Sequence, residues 1–204
     1  GRSAAVLADG LVAGETLHVC DPFEDTTGSA ANDTENASSY ASLSRQEFET
    51  NLRKFPVAMP VIHQCISTGL EGQLAPRTFR LVHVDGSHLE DPVRWDIGLA
   101  KELLAPGGVI VLDDFRSPHT PGVALAVWEA VHAGLTPILT TTMKLYGAWD
   151  PAPDLVARLE QELIRRNCTT WYHQKNEGDD VLHAQAQLPQ PLRTAKVIAK
   201  AVQA

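Results

Sequence analysis

FRLVHVDGSHLEDPVRWDIGLAKELLAPGGVIVLDDFR, residues Phe79–Arg116, is the stretch whose reading decides the fold. Two apolar runs, Leu81–Val84 and Val109–Leu112, have the composition of buried parallel strands, and each stops at carboxylates: the first at Asp85, the second at Asp113-Asp114. Between them Val93, Ile97, Ala100, Leu103 and Leu104 recur at helical spacing, and Pro106-Gly107-Gly108 is expected to end the helix before the second strand. A strand–helix–strand unit of this length makes a right-handed parallel crossover, so Asp85, Asp113 and Asp114 should emerge at one carboxyl edge, where open α/β sheets place their ligands. A single strand-end Asp is often only a turn or helix cap, and Asp85 before Gly86-Ser87 reads either way. The adjacent pair Asp113-Asp114 is different, because two like charges repel unless a cation, donors or water offset them. Three converging acids point to a shared hard divalent cation.

The 204 residues suffice for one well-buried domain, with 44% apolar and 21% charged residues marking a globular chain. A net charge of −8 disfavours nucleic acid and anionic membranes as partners. No apolar run is long enough to span a bilayer and no signal peptide stands at the start, so a cytoplasmic, soluble protein is the expectation. Cys20, Cys65 and Cys168 are odd in number and widely spaced, with Cys20 and Cys65 in expected strands; reduced thiols fit better than a disulfide framework or a zinc site.

Outward from the deciding stretch, Ala4–Leu11 reads as a helix, 16–20 as a strand ending at Asp21-Pro22, and Arg45–Phe55 as a helix. Residues 24–44 contain almost no aliphatic side chains and read as a mobile loop or lid. Residues 61–66 form a third strand, ending at Ser67-Thr68-Gly69. Beyond Asp114, residues 123–132 should be helical, and 136–142 with 143–149 an antiparallel pair at a sheet edge. A helix capped by Asp154 follows over 154–166, then an irregular polar stretch to Pro191 and a last helix over 192–202.

VDGSH followed by ELLAPGGVIVLDDF resembles the class I S-adenosylmethionine-dependent methyltransferases, and within them the metal-dependent small-molecule O-methyltransferases of the catechol and macrolide-sugar kind. The resemblance runs more weakly over residues 1 to about 149. It implies a Rossmann-like fold: a mostly parallel seven-strand sheet with helices on both faces, its first strand missing because Gly1-Arg2-Ser3 matches the end of the first glycine turn. Residues 1–150 would form the cofactor-binding domain, N-terminally incomplete, and 151–204 its helical and irregular extension. It implies that S-adenosylmethionine contacts Gly1, Ser3, Asp21, Ser67, Thr68 and Asp85, with Asp21 on the ribose and Ser67-Thr68 beside adenine; Cys65 departs from the usual glycine there. It also implies that Asp85, Asp113 and Asp114 hold Mg²⁺ or Mn²⁺.

The reaction implied is methyl transfer from a sulfonium to the hydroxyl of a natural product, phenol or sugar. Such an oxygen needs deprotonation, and His88, at the offset from Asp85 where the resemblance implies a base, is the candidate catalytic residue. A surface histidine and a metal ligand remain alternatives for it. Arg116, His119, Tyr146 and Trp149 are expected to border the same edge. The chain could instead be a catalytically silent methyltransferase-like scaffold, or a Mg²⁺-dependent hydrolase or hydroxylase-like relative. Asp21-Pro22-Phe23-Glu24 lacks the Asp-x-Asp of the phosphohydrolases. A small-molecule acceptor is the expected partner, and self-association is compatible with the sequence.

Overall fold

A computed structural model describes residues 2–39, 42–166, 171–176 and 179–184. Its contacts divide the chain into two compact units, Gly1–Gln73 and Leu74–Ala204. The first holds α1 (Arg2–Asp9), β1 (His18–Cys20), α2 (Ala30–Ser39), α3 (Arg45–Leu52), β2 (Val61–His63) and a 3₁₀ turn, Ser67–Leu70. β1 and β2 pair in parallel with Cys20 opposite His63. Val19 and Ile62 pack on a small core of Ala5, Phe23, Phe48 and Leu52. Ser44 starts α3 by accepting the Glu47 N–H at 3.2 Å.

The stretch expected to be a lid without secondary structure contains α2. Its start is held by polar groups rather than an apolar face: Asp33 Oδ1 accepts the Thr27 N–H at 2.7 Å and the Thr27 hydroxyl at 2.8 Å. Those bonds have no signature in hydrophobic periodicity, which is why the helix was invisible to it.

The second unit holds β3 (Phe79–Val84), α4 (Glu90–Leu103), β4 (Leu104–Leu112), α5 (Pro121–His132), β5 (Thr136–Thr140), β6 (Leu145–Ala148), α6 (Leu155–Arg165), β7 (Trp171–Asn176) and β8 (Asp179–Ala184). The strands lie in the order β3-β4-β6-β5-β8-β7. Ile110 and Leu112 pack with α4 and α5 on one face, while Val109 and Val111 pack with Leu155, Leu159 and Leu163 of α6 on the other. Alternation of β4 side chains between two buried faces produces the α/β/α layering.

Several expectations change. The α/β architecture with helices on both sheet faces is as expected, but among the described residues the seven-strand, mostly parallel sheet is a six-strand mixed sheet, with β1 and β2 forming a separate two-strand sheet. β3–β4 and β5–β8 are parallel; β4–β6, β5–β6 and β7–β8 are antiparallel. β5 and β6 are the antiparallel pair expected, but they lie inside the sheet because β8 extends it. The stretch after α6, read as irregular, supplies β7 and β8: Leu182 opposite Leu139 buries both, a tertiary gain that polar composition concealed. β4 begins at Leu104, before Pro106, and the register shifts between Phe79 and Leu81 to absorb Pro106-Gly107. Asp154 makes no side-chain capping bond, since its φ of −99° and ψ of 1° turn it from the N-cap geometry; it pairs with Arg158 at 3.3 Å. The helix expected over 192–202 and Cys168 lie outside the described residues. Among those described, no helix is long and apolar enough to cross a membrane.

Leu159 is 1% exposed beneath the sheet. Leu159→Ala is expected to cost about 2–5 kcal/mol of stability, read as a lower urea midpoint at unchanged m-value. A loss well below about 1 kcal/mol would mean that α6 does not pack there.

Candidate functional site

Backbone register builds the site. β3 and β4 pair with Val84 opposite Leu112, so Asp85 and Asp113 leave the sheet side by side, and the Asp113 N–H donates to Val84 O at 3.0 Å. β6 runs antiparallel to β4 with Leu145 opposite Leu112, which sets Lys144 next to Asp113. The turn carrying Lys144 is closed by Thr141 N–H to Lys144 O (2.8 Å) and Lys144 N–H to Thr141 Oγ1 (3.0 Å). His83, two residues before Asp85, shares its face.

His83, Asp85 and Asp113 each offer a ligand atom within 4.8 Å of the others. Lys144 Nζ bonds Asp113 Oδ2 and lies 3.3 Å from His83 Nε2. His83 Nε2 lies 3.5 Å from Asp113 Oδ2. Burial, then the Lys144 charge, push the His83 imidazole down to about 4 against an opposing pull from Asp85. At neutral pH it is uncharged and carries a lone pair. Burial also lowers the Lys144 ammonium, partly offset by Asp85.

Asp114 takes another path. Its φ of +55° turns its backbone into the left-handed region. Thr120, fully buried, donates its hydroxyl to Asp114 O at 2.7 Å and holds the turn. The Asp114 carboxylate lies 3.4 Å from His88 Nε2. His88 meets His119 edge-on at 5.7 Å between ring centroids, and His119 Nδ1 lies 2.8 Å from Ser117 Oγ. Gly122, early in α5, lets the helix approach the His88 turn: a Cβ there would stand 2.8 Å from Glu90 N and 3.0 Å from His88 O. Asp85, His88, Asp113 and Asp114 line one cleft with Ser87.

The structure thus brings the three acids and His88 to one edge, but in two groups: Asp85 with Asp113, and Asp114 with His88. Sequence reasoning missed His83 and Lys144. His83 had a signal, a polar residue inside a buried strand; Lys144 had none, because an antiparallel register is invisible until the sheet assembles. Of the flanking residues, His119 belongs here. Arg116 is exposed, Tyr146 is buried in the core, and Trp149 lies at the other end of β6, beneath Lys101 at 5.4 Å.

In the first unit, Asp21 follows β1 and its N–H donates to His63 O at 3.1 Å. Its Oδ1 accepts the Phe23 N–H at 2.6 Å, so Asp21 does serve as a turn cap. Burial raises its carboxyl pKa, with that hydrogen bond opposing the rise. Ser67 and Thr68 open the 3₁₀ turn after β2, at the same end of the strand pair, and Ser3 sits in α1. Gly1 lies outside the described residues.

Residues 1–115 match the family described as a methyltransferase domain. The chain belongs to that family. Among solved structures it is similar to the O-methyltransferase NovP, with 16% identity over 68% of this chain and 62% of that one and a TM-score of 0.49. It is also similar to a Corynebacterium glutamicum protein, with 15% identity over 71% of this chain and 65% of that one and a TM-score of 0.46. The chain therefore spans less than two thirds of the length of either. No curated protein matches it significantly.

Lys144→Met leaves the Asp85 and Asp113 carboxylates without their neighbouring ammonium. In EDTA the variant is expected to lose about 1–3 kcal/mol of stability, the range for hydrogen bonds to charged groups. Added Mg²⁺ should raise its melting temperature more than that of the unsubstituted protein. An equal Mg²⁺ response in both proteins would show that ammonium and divalent cation do not share the site.

Proposed function

We propose that this methyltransferase-family chain is a cytoplasmic S-adenosylmethionine-dependent O-methyltransferase that uses a divalent cation and acts on a hydroxyl of a small natural product, phenol or sugar. The observation that carries this reading is the meeting of Asp85 and Asp113, with a neutral imidazole beside them, at the carboxyl ends of β3 and β4. The donor set fits a cation, because two carboxylates otherwise repel, and the Lys144 ammonium against Asp113 stands where that positive charge is needed. When bound, S-adenosylmethionine would supply an electrophilic methyl group, and a cation held by the acids would lower the pKa of the acceptor hydroxyl and orient it.

Asp85 and Asp113 would hold the cation in this reading, with Asp114 as the third ligand. A second assignment is favoured by one observation: His83 is already within the cluster, whereas the Asp114 carboxylate faces His88. A carboxylate set suits Mg²⁺, and a set with an imidazole shifts preference toward Mn²⁺. His88 would act as general base. The Asp114 carboxylate, 3.4 Å from His88 Nε2, would orient its ring. Asp21 Oδ2 would take the ribose hydroxyls, its partner oxygen being used by the turn, and Ser67-Thr68 would border adenine. Ser3 would meet the methionine end.

Calorimetry with S-adenosylhomocysteine is the primary test. Asp21→Ala should weaken its binding by about 1–3 kcal/mol; unchanged affinity would remove Asp21 from the cofactor site. Methyl transfer to a panel of catechols and sugars should stop in EDTA without unfolding, and persistence of turnover would remove the cation. His88→Gln should keep S-adenosylhomocysteine binding and lower kcat by about 10²–10⁴. An unchanged kcat would make His88 a bystander, and binding without transfer to any acceptor would favour the scaffold reading.

A further inference from the structure

The face of β1 and β2 opposite Val19 and Ile62 carries His18, Cys20 and His63, and the turn just after β2 adds Cys65, four residues the proposed chemistry does not use. Cys20 follows His18 by two and stands beside His63 in the parallel register, so side-chain alternation puts them on one face. After His63 the chain folds back, because the Cys65 N–H donates to His63 O at 3.0 Å, the carbonyl that also accepts the Asp21 N–H. This tight return lays Cys65 over Cys20. Their sulfurs are 3.9 Å apart, and the Cys20 thiol donates to Cys65 O at 3.2 Å. Gly69 closes the other side, since a Cβ there would stand 3.2 Å from Cys65 Sγ. Both cysteines are half-buried and so within reach of a small reagent.

We propose that Cys20 and Cys65 are a dithiol that a small-molecule disulfide, such as oxidised glutathione, converts to an intramolecular disulfide, and that closure weakens cofactor binding at the same strand ends. The second half rests on the proposed roles of Asp21, Ser67 and Thr68. One protein thiolate attacks a sulfur of the oxidant, whose S–S bond breaks and whose departing thiolate takes up a proton. The other protein thiolate then attacks the protein sulfur of the mixed disulfide and releases the second small thiol. Two protein thiols are oxidised, one small disulfide is reduced to two thiols, and both cysteine protons end on the leaving groups. His18 and His63 lie on the same face, their rings stacked at 5.3 Å with His18 Nδ1 3.0 Å from His63 Nε2.

Closure must shorten 3.9 Å to about 2.05 Å. Cys20 is fixed in the ladder, so the turn after β2 has to move, and that turn carries Ser67 and Thr68. Asp21, bonded to Cys20, adjoins the same bond.

The test uses the full chain in a Cys168→Ser background, equilibrated with glutathione buffers from reducing to oxidising. Thiol titration and peptide mass spectrometry should show a Cys20–Cys65 cross-link with loss of two thiols, reversed by dithiothreitol and absent in Cys20→Ser and Cys65→Ser. No cross-link in fully oxidised buffer, or only glutathione adducts, overturns the proposal. S-adenosylhomocysteine calorimetry on both forms should show at least a tenfold weaker affinity when oxidised, while Cys20→Ser is insensitive to the buffer. Equal affinities in the two forms overturn the coupling to the cofactor. A reduced protein that does not bind S-adenosylhomocysteine, yet still cross-links, counts against the proposed cofactor site and leaves the dithiol standing.

Discussion

The pairing of Val84 with Leu112 is the constraint on which the site depends, because it places two carboxylates at neighbouring strand ends. Nothing in either strand makes that arrangement favourable: Asp85 and Asp113 repel. It persists because burying Ile110, Leu112, Val93, Ile97 and Val127 between the sheet and α4 and α5 commits β3 and β4 to one register. A one-residue slip would turn every apolar side chain of β4 to the wrong face. Core packing thus holds the acids at a separation that electrostatics alone would not choose.

The repulsion is then met locally. Lys144 arrives on the antiparallel β6, and its ammonium lies against Asp113 and beside His83. His83 is kept neutral by burial and by that charge, so the cluster holds two acids, one ammonium and one uncharged imidazole. Asp114, one residue on, is directed elsewhere by its left-handed backbone and the Thr120 hydroxyl. Adjacent residues of like chemistry therefore serve different partners, His83 and Lys144 in one case and His88 in the other.

The first unit shows the same device on a smaller scale. The β1–β2 ladder ends at Cys20 and His63, and the His63 carbonyl accepts two N–H groups, from Asp21 and Cys65. One carbonyl thus orients both Asp21 and the thiol laid over Cys20. In both units short parallel ladders end in polar residues at their carboxyl ends, with a glycine packed close to the neighbouring segment, Gly69 against the Cys65 side chain and Gly122 against the backbone of His88 and Glu90.

Periodicity in the sequence determined the β3–α4–β4 crossover, the convergence of Asp85, Asp113 and Asp114, and the apolar faces of α5 and α6. Each follows from local spacing and from a crossover handedness that chain sterics dictate. Only the tertiary structure decided how those acids divide, and that His83 and Lys144 join two of them. Lys144 lies 61 residues from His83, and their meeting depends on where β6 inserts in the sheet. The order β3-β4-β6-β5-β8-β7, the hairpin of β7 and β8 and the polar-capped α2 were likewise hidden. Strand order and antiparallel register are set by which faces bury together once the chain has collapsed, a non-local sum that no short window of residues contains.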